Sequence, residues 1–282
     1  MATAKVRTVR DGRRLLSLSD SGWTPDLAKM YVDQECRGVT VSALGRDFEI
    51  PDVSFLHQLP ELEEIRLLGR IRDDTAAFEI SSMRSLQVDT PCRTAIRFGT
   101  AVDLETLDLW WRPGVETVAE LANLRELSLY GWEAPDFRIL GEKPALEFLR
   151  VQLRRATAVT SAGLAGARAL RTAWFYEGAI TDTEELSALP QVEELAFRGT
   201  KVSSLDFVRA CPRLRSLELE NCGEIASLAP LADHPALASV AISGSTKIVD
   251  GDLSPLLAAT LVDVALERGH PHYSHRPAEV RR

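Results

Sequence analysis

Residues 192–242 read VEELAFRGTKVSSLDFVRACPRLRSLELENCGEIASLAPLADHPALASVAI. Three times in this stretch an apolar residue is followed by others three and five positions later: Val192, Leu195 and Phe197; Leu214, Leu217 and Leu219; Leu237, Val240 and Ile242. The last two of each trio are two residues apart, the period of a β-strand, so both face one side while the residue between them faces the other. One such strand is too short to bury its own apolar face, but copies stacked side by side bury it continuously.

Outward from this stretch the same pattern recurs as LEEIRL from 62, MRSLQV from 83, LETLDL from 104, LRELSL from 124, LEFLRV from 146, LRTAWF from 170 and LVDVAL from 261. Successive starts differ by 21, 21, 20, 22, 24, 22, 22, 23 and 24 residues, and CRGVTV at 36–41 is a weaker copy. With that period and pattern the chain resembles leucine-rich-repeat proteins, in the short 22-residue form of the SDS22-like and internalin-like repeats. The resemblance implies an α/β leucine-rich-repeat solenoid of ten to eleven repeats over residues 36–266. A curved parallel β-sheet would line its concave face, with short 3₁₀ or helical segments on the convex face. Apolar residues spaced by three between the strands, as at Val115, Val118, Leu121 and Leu124 or Ile225, Leu228 and Leu231, suit a 3₁₀ turn.

An open stack exposes its core at both ends and needs caps. Residues 1–35 are expected to supply the first. In WTPDLAKMYVD, Thr24 suits an N-cap, Pro25 the first helical position, and Leu27, Met30 and Tyr31 form an apolar stripe. Residues 267–282, ERGHPHYSHRPAEVRR from Glu267, are polar and without period, which predicts a loose tail.

Composition narrows the function classes. With 45% hydrophobic and 26% charged residues in 282, the chain can bury a continuous core. A net charge of -8 disfavours nucleic acid, whose affinity comes largely from cations that neutralise phosphates. No apolar run approaches the roughly 18 residues of a membrane helix, and the run in MATAKVRTVRDGRRLLSLSDSG is too short for a secretory signal, so a cytoplasmic protein is expected. Cys36, Cys92, Cys211 and Cys222 show no CxxC spacing, which argues against zinc or a disulfide framework. Arginine far outnumbers lysine and asparagine is nearly absent, which suits a GC-rich bacterial genome.

The resemblance implies a small hydrogen-bonding residue eight positions after the first apolar one. Thr200, Cys222 and Ser245 serve in the later repeats, whereas Arg70, Pro91, Arg112, Trp132 and Arg154 depart from it in the earlier ones. Local rule-breaking of this kind points to a functional surface. In LETLDLWWRPG, residues 104–114, Leu107 and Leu109 face the core, Asp108 and Trp110 face the concave side, and Trp111 sits at the rim. Both tryptophans are expected to be exposed. The same register puts Tyr130, Gln152 and Tyr176 in the column of Trp110, and Ser128, Arg150 and Trp174 in that of Asp108, with Phe148 one outward position earlier. Asp108, Trp110, Trp111, Arg112, Tyr130, Phe148, Arg150, Trp174 and Tyr176 thus form one candidate partner-binding patch of the residue types that dominate binding hot spots. The alternative is that these rings pack on one another and merely shield the sheet. Trp132 is expected to be partly internal. Glu193, Glu194, Glu218 and Glu220, relieved by Arg198 and Arg215, make the later columns acidic, either to steer a basic partner or as plain solvated surface.

No phosphate-cradling glycine loop, GxSxG elbow or HExxH pair is present. His57 and His234 stand alone, His270, His272 and His275 lack a neighbouring carboxylate, and DGD at 250–252 is too short for a calcium loop. The sequence therefore points to a non-enzymatic module that binds another protein or peptide on its concave face, as scaffold, regulator or inhibitor. No cofactor or metal is expected, and neither nucleic acid nor membrane as partner. A monomer is the simplest expectation, with the oligomeric state left open. The alternative function is small-molecule or glycan binding by the aromatic patch.

Overall fold

The computed structural model describes residues 3–9 and 12–281, which fall into two compact units, 1–128 and 129–282. In the first, strands Arg14–Ser19, Gly38–Ala43, Glu64–Gly69, Ser85–Asp89 and Thr106–Trp110 pair in parallel in chain order. The register stacks Leu16, Val39, Ile65, Leu86 and Leu107 in one inward column and Leu18, Val41, Leu67, Val88 and Leu109 in the other, all buried. Strand Thr3–Thr8 pairs antiparallel with Arg14–Ser19 at the start of the stack.

Arg14–Ser19 lies within the stretch expected to be a cap with only a short helix. Its apolar-x-apolar core, Leu16 and Leu18, occupies the repeat columns, but the leading apolar position is Arg13. That side chain instead reaches the buried carboxylate of Glu64 at 3.4 Å. The expected helix spans Pro25–Asp33, with Thr24 Oγ1 accepting from the Leu27 amide at 3.4 Å. Leu27 and Tyr31 are buried, whereas Met30, expected in the same stripe, stays exposed.

In the second unit, strands Phe148–Leu153, Thr172–Tyr176, Glu194–Arg198, Ser216–Glu220, Ser239–Ser243 and Asp263–Leu266 pair in parallel without a register shift. Leu149, Ala173, Leu195, Leu217, Val240 and Val264 form one inward column, and Val151, Phe175, Phe197, Leu219, Ile242 and Leu266 the other. Behind the second column runs an aromatic spine. Trp132 meets Phe137 at 5.0 Å, Phe137 meets Phe175 at 5.8 Å, Phe175 stacks on Phe197 at 5.5 Å, and Phe197 meets Phe207 at 6.1 Å. Rings this close add specific pair energy to the burial of their large area.

Most return segments carry a 3₁₀ turn, as the threefold spacing predicts, among them Val115–Glu120 in the first unit, and Glu184–Ala188, Asp206–Ala210 and Ala229–Leu231 in the second. Val115–Glu120 starts from Gly114 at φ 88°. A Cβ there would collide with the Ile96 carbonyl oxygen, so both the positive φ and the close approach require glycine.

The C-terminal residues, expected to be loose, are packed. Val280, in a short helix Pro277–Val280, is fully buried. Arg281 donates to the Leu266 carbonyl from Nε at 2.9 Å and Nη2 at 2.7 Å. Tyr273 Oη and Ser274 Oγ accept the amides of Ile248 and Leu253, each at 2.9 Å. A polar, aperiodic segment can cap a solenoid because what the last repeat leaves open is largely backbone.

Candidate functional site

The outward columns of the second unit hold most of the candidate residues. Strand alternation projects Phe148, Arg150 and Gln152 from one strand, and the register sets them beside Thr172, Trp174 and Tyr176 of the next. Beyond these come Glu194, Ala196 and Arg198, then Ser216, Glu218 and Glu220. Trp174 is the hub. Phe148 meets its ring edge-to-face at 5.1 Å, and the guanidinium carbons of Arg150 and Arg198 lie over the ring at 4.9 and 5.6 Å. Arg150 also lies over Phe148 at 5.5 Å, and Arg198 over Tyr176 at 5.6 Å. The sequence Phe148, Arg150, Trp174, Arg198, Tyr176 is therefore a continuous alternation of ring and cation, each contact contributing about 0.5–1 kcal/mol at such half-exposed positions.

Hydrogen bonds lock this alternation. Trp174 Nε1 donates to Glu194 at 2.8 Å. Arg198 grips Glu218 with Nε at 2.7 Å and Nη2 at 2.6 Å, and donates from Nη1 to Tyr176 Oη at 3.0 Å. The bond to Glu218 is the main reason Arg198 holds its proton even more strongly than an ordinary guanidinium. Arg150 donates a longer bond, 3.4 Å, to Tyr130 Oη. All six side chains, Tyr130 included, are half-buried: the rings do pack on one another, yet the assembly remains at the surface. Glu194 and Arg198, which the sequence reading assigns to a separate acidic region, are integral to it, and the strand register sets their columns.

The remaining candidates lie in the first unit. Trp110 is 37% exposed, and its Nε1 donates to Asp89 at 3.0 Å. Asp108 and Trp111 are half-buried, so Trp111 is less exposed than expected. Arg112 corrects the reading: it is 3% exposed and belongs to the interior, not to a binding surface. Its guanidinium meets Asp74 through two hydrogen bonds, donates from Nε to the Thr94 carbonyl at 2.9 Å and lies over Phe78 at 5.2 Å. Trp132 is fully buried rather than partly so, and its Nε1 donates to the Ala134 carbonyl at 3.0 Å. Both residues satisfy backbone carbonyls from the position eight after the first apolar one, which Arg and Trp were expected not to serve. In the later repeats Cys222 is buried there, with Sγ 3.2 Å from the Phe197 carbonyl. Thr246, not Ser245, takes the role one residue on: it accepts the Cys222 amide and donates to the Leu219 carbonyl, each at 3.0 Å.

Among the described residues no three His, Cys, Asp or Glu side chains gather as a metal site, and no helix is long and apolar enough to cross a membrane. His234 is a turn residue: Nδ1 accepts the Leu237 amide at 3.1 Å, which leaves Nε2 to donate to the Cys211 carbonyl at 3.0 Å. Lys143 is pulled down to about 8 by burial, but at 1% exposure its amine has no access to a substrate.

No family model matches the chain, and no curated protein matches it. Solved structures do. An internalin, InlF, from Listeria monocytogenes superposes with a TM-score of 0.64 at 16% identity, over 86% of this chain and 76% of that one. A chain of the Toll–Spätzle complex of Drosophila superposes with a TM-score of 0.60 at 13% identity, over 89% of this chain but only 37% of that one. Parallel strands repeating with 3₁₀ turns, together with these superpositions, define a leucine-rich-repeat solenoid fold similar to that of the internalin.

Proposed function

We propose that this protein is a non-enzymatic binding module that holds another protein or peptide against the outward strand columns of its second unit. The supporting observation is the interlocked alternation of Phe148, Arg150, Trp174, Arg198 and Tyr176. Its rings and guanidinium groups hold one another in place, so these side chains would lose little further ordering entropy when a partner docks. The Toll–Spätzle complex shows a protein of this fold class in a complex with another protein, which is consistent with the reading. A sugar or flat metabolite would need an open ring face. The guanidinium groups over Trp174 occupy that space, which favours the macromolecular partner over the small ligand. Four buried free thiols fit a reducing, cytoplasmic setting.

The test compares wild type with a Trp174→Ala/Tyr176→Ala variant in affinity capture from host lysate, after thermal unfolding has shown both to be folded. A protein retained by wild type and lost by the variant supports the reading. Equal retention of every captured protein overturns it.

A further inference from the structure

Arg150 and Arg198 flank the same tryptophan, yet their fork-shaped guanidinium groups are used differently. Arg198 spends two donors on Glu218 and a third on Tyr176. Among the described residues Arg150 has no carboxylate partner. Its polar contact is the 3.4 Å bond to Tyr130 Oη, and its Nε is buried without a hydrogen-bond partner. A guanidinium carries five donors and cannot lose its proton, so here most of that capacity is unspent. Walls of Phe148 and Trp174 lower the local dielectric, which strengthens attraction for an incoming anion.

The surroundings select the kind of anion. Glu194, Glu218 and Glu220 follow on the next two strands, so a group with two negative charges would be repelled. A single carboxylate fits both the charge and the planar fork. Among the described residues Glu220 in turn has only a weak partner, the Asn221 amide at 3.4 Å, and can take a cation. Glu220 lies three strand spacings from Arg150 and two residues further along its strand, roughly 16 Å in all, which an extended chain covers in about five residues.

We propose, resting on the binding function above, that Arg150 is the anion anchor of this face. It takes the carboxylate of an Asp or Glu in an extended partner segment, and a Lys or Arg about five positions along that segment lies over Glu220.

The test is selection of a randomised peptide library, displayed on phage, against the full chain. Wild type is expected to enrich peptides with an acid at one fixed position and a base about five residues away. In the synthesised consensus peptide, changing the acid to its amide should weaken binding roughly 10- to 100-fold. Arg150→Gln should cause a similar loss and then show little further loss with the amide peptide, while Arg150→Lys should retain part of the affinity. Circular dichroism establishes that each variant is folded. Enriched peptides that depend on Trp174 but lack a fixed acid, or that bind Arg150→Gln as tightly as wild type, overturn the anchor and leave the binding face intact. Tenfold tighter binding of a phosphoserine peptide overturns the choice of carboxylate. Absence of any peptide that depends on Trp174 overturns the binding face and the anchor together.

Discussion

Arg112 and Asp74 meet through two hydrogen bonds, Nη1 to Oδ2 at 3.0 Å and Nη2 to Oδ1 at 2.9 Å, in the interior of the first unit. Thr90 Oγ1 also donates to the same carboxylate, and Cys92 Sγ lies 3.3 Å from Nη2. The pair ties the Asp74 turn to the chain leaving strand Thr106–Trp110, across the repeat whose return segment, residues 91–105, forms no 3₁₀ turn.

Breaking one side leaves the other charge buried, so Asp74→Leu and Arg112→Met should each cost roughly 3–5 kcal/mol. The Asp74→Leu/Arg112→Met double variant should cost clearly less than the sum of its single changes, because no charge is then stranded. Urea denaturation of the four proteins closes the cycle. Single-variant losses below about 1 kcal/mol would show that the pair does not hold this repeat together.

Trp132 tests the other large residue at an inward turn position. Trp132→Phe keeps most of the contact with Phe137 but loses the bond to the Ala134 carbonyl, an expected loss of about 1–2 kcal/mol. Trp132→Ala also opens a cavity at the end of the aromatic spine and should lose about 3–5 kcal/mol. Equal midpoints for the two variants in chemical denaturation would mean that the ring's volume is not what fills the site.

These two residues show where sequence reading stops. Within a strand, alternation fixes the facing of each side chain, and the columns through Arg150 and Trp174 or Gln152 and Tyr176 match the strand pairing of the structure. Arg112 lies two residues beyond the end of strand Thr106–Trp110, where the chain turns and alternation no longer applies. Its destination depends on Asp74, a partner 38 positions away that no local pattern reveals. The shift from Ser245 to Thr246 has the same origin, since Gly244 at φ 64° turns the chain between strand and inward residue. Capping at the C-terminus was illegible because Tyr273, Ser274 and Arg281 act through hydrogen bonds to backbone, which leave no hydrophobic period. Arg14–Ser19 was hidden by a single residue, Arg13, in the place of an apolar one.

In a solenoid each repeat leans on its neighbours, so a lost cap is felt most by the last repeat. Val280→Asp would bury a charge at a fully enclosed position, and Arg281→Ala would free the Leu266 carbonyl. Both variants should lose hydrogen-exchange protection at strand Asp263–Leu266 and less at Ser239–Ser243, with no change at Phe148–Leu153. Unaltered protection at Asp263–Leu266 in Val280→Asp would show that the tail is not a cap.

The buried thiols give a pH dependence with a defined sign. Burial pushes Cys211 up to about 11 and Cys222 up to about 12, from an ordinary value near 9. Unfolded thiols ionise first, so between about pH 9 and 12 the unfolded state binds fewer protons than the folded one and stability falls as pH rises. Below pH 9 both states are protonated at these cysteines, and their contribution is constant. A Cys211→Ala/Cys222→Ser variant should therefore show a flatter decline in unfolding midpoint from pH 9 to 11 than wild type, whatever its loss at pH 7. The same burial should keep both thiols unreactive toward a disulfide reagent at pH 8 until denaturant is added, since the thiolate is the attacking species. Rapid labelling of Cys211 or Cys222 in the native protein would mean that the interior beneath strands Glu194–Arg198 and Ser216–Glu220 opens readily, and a rigid face for binding could not be built on it.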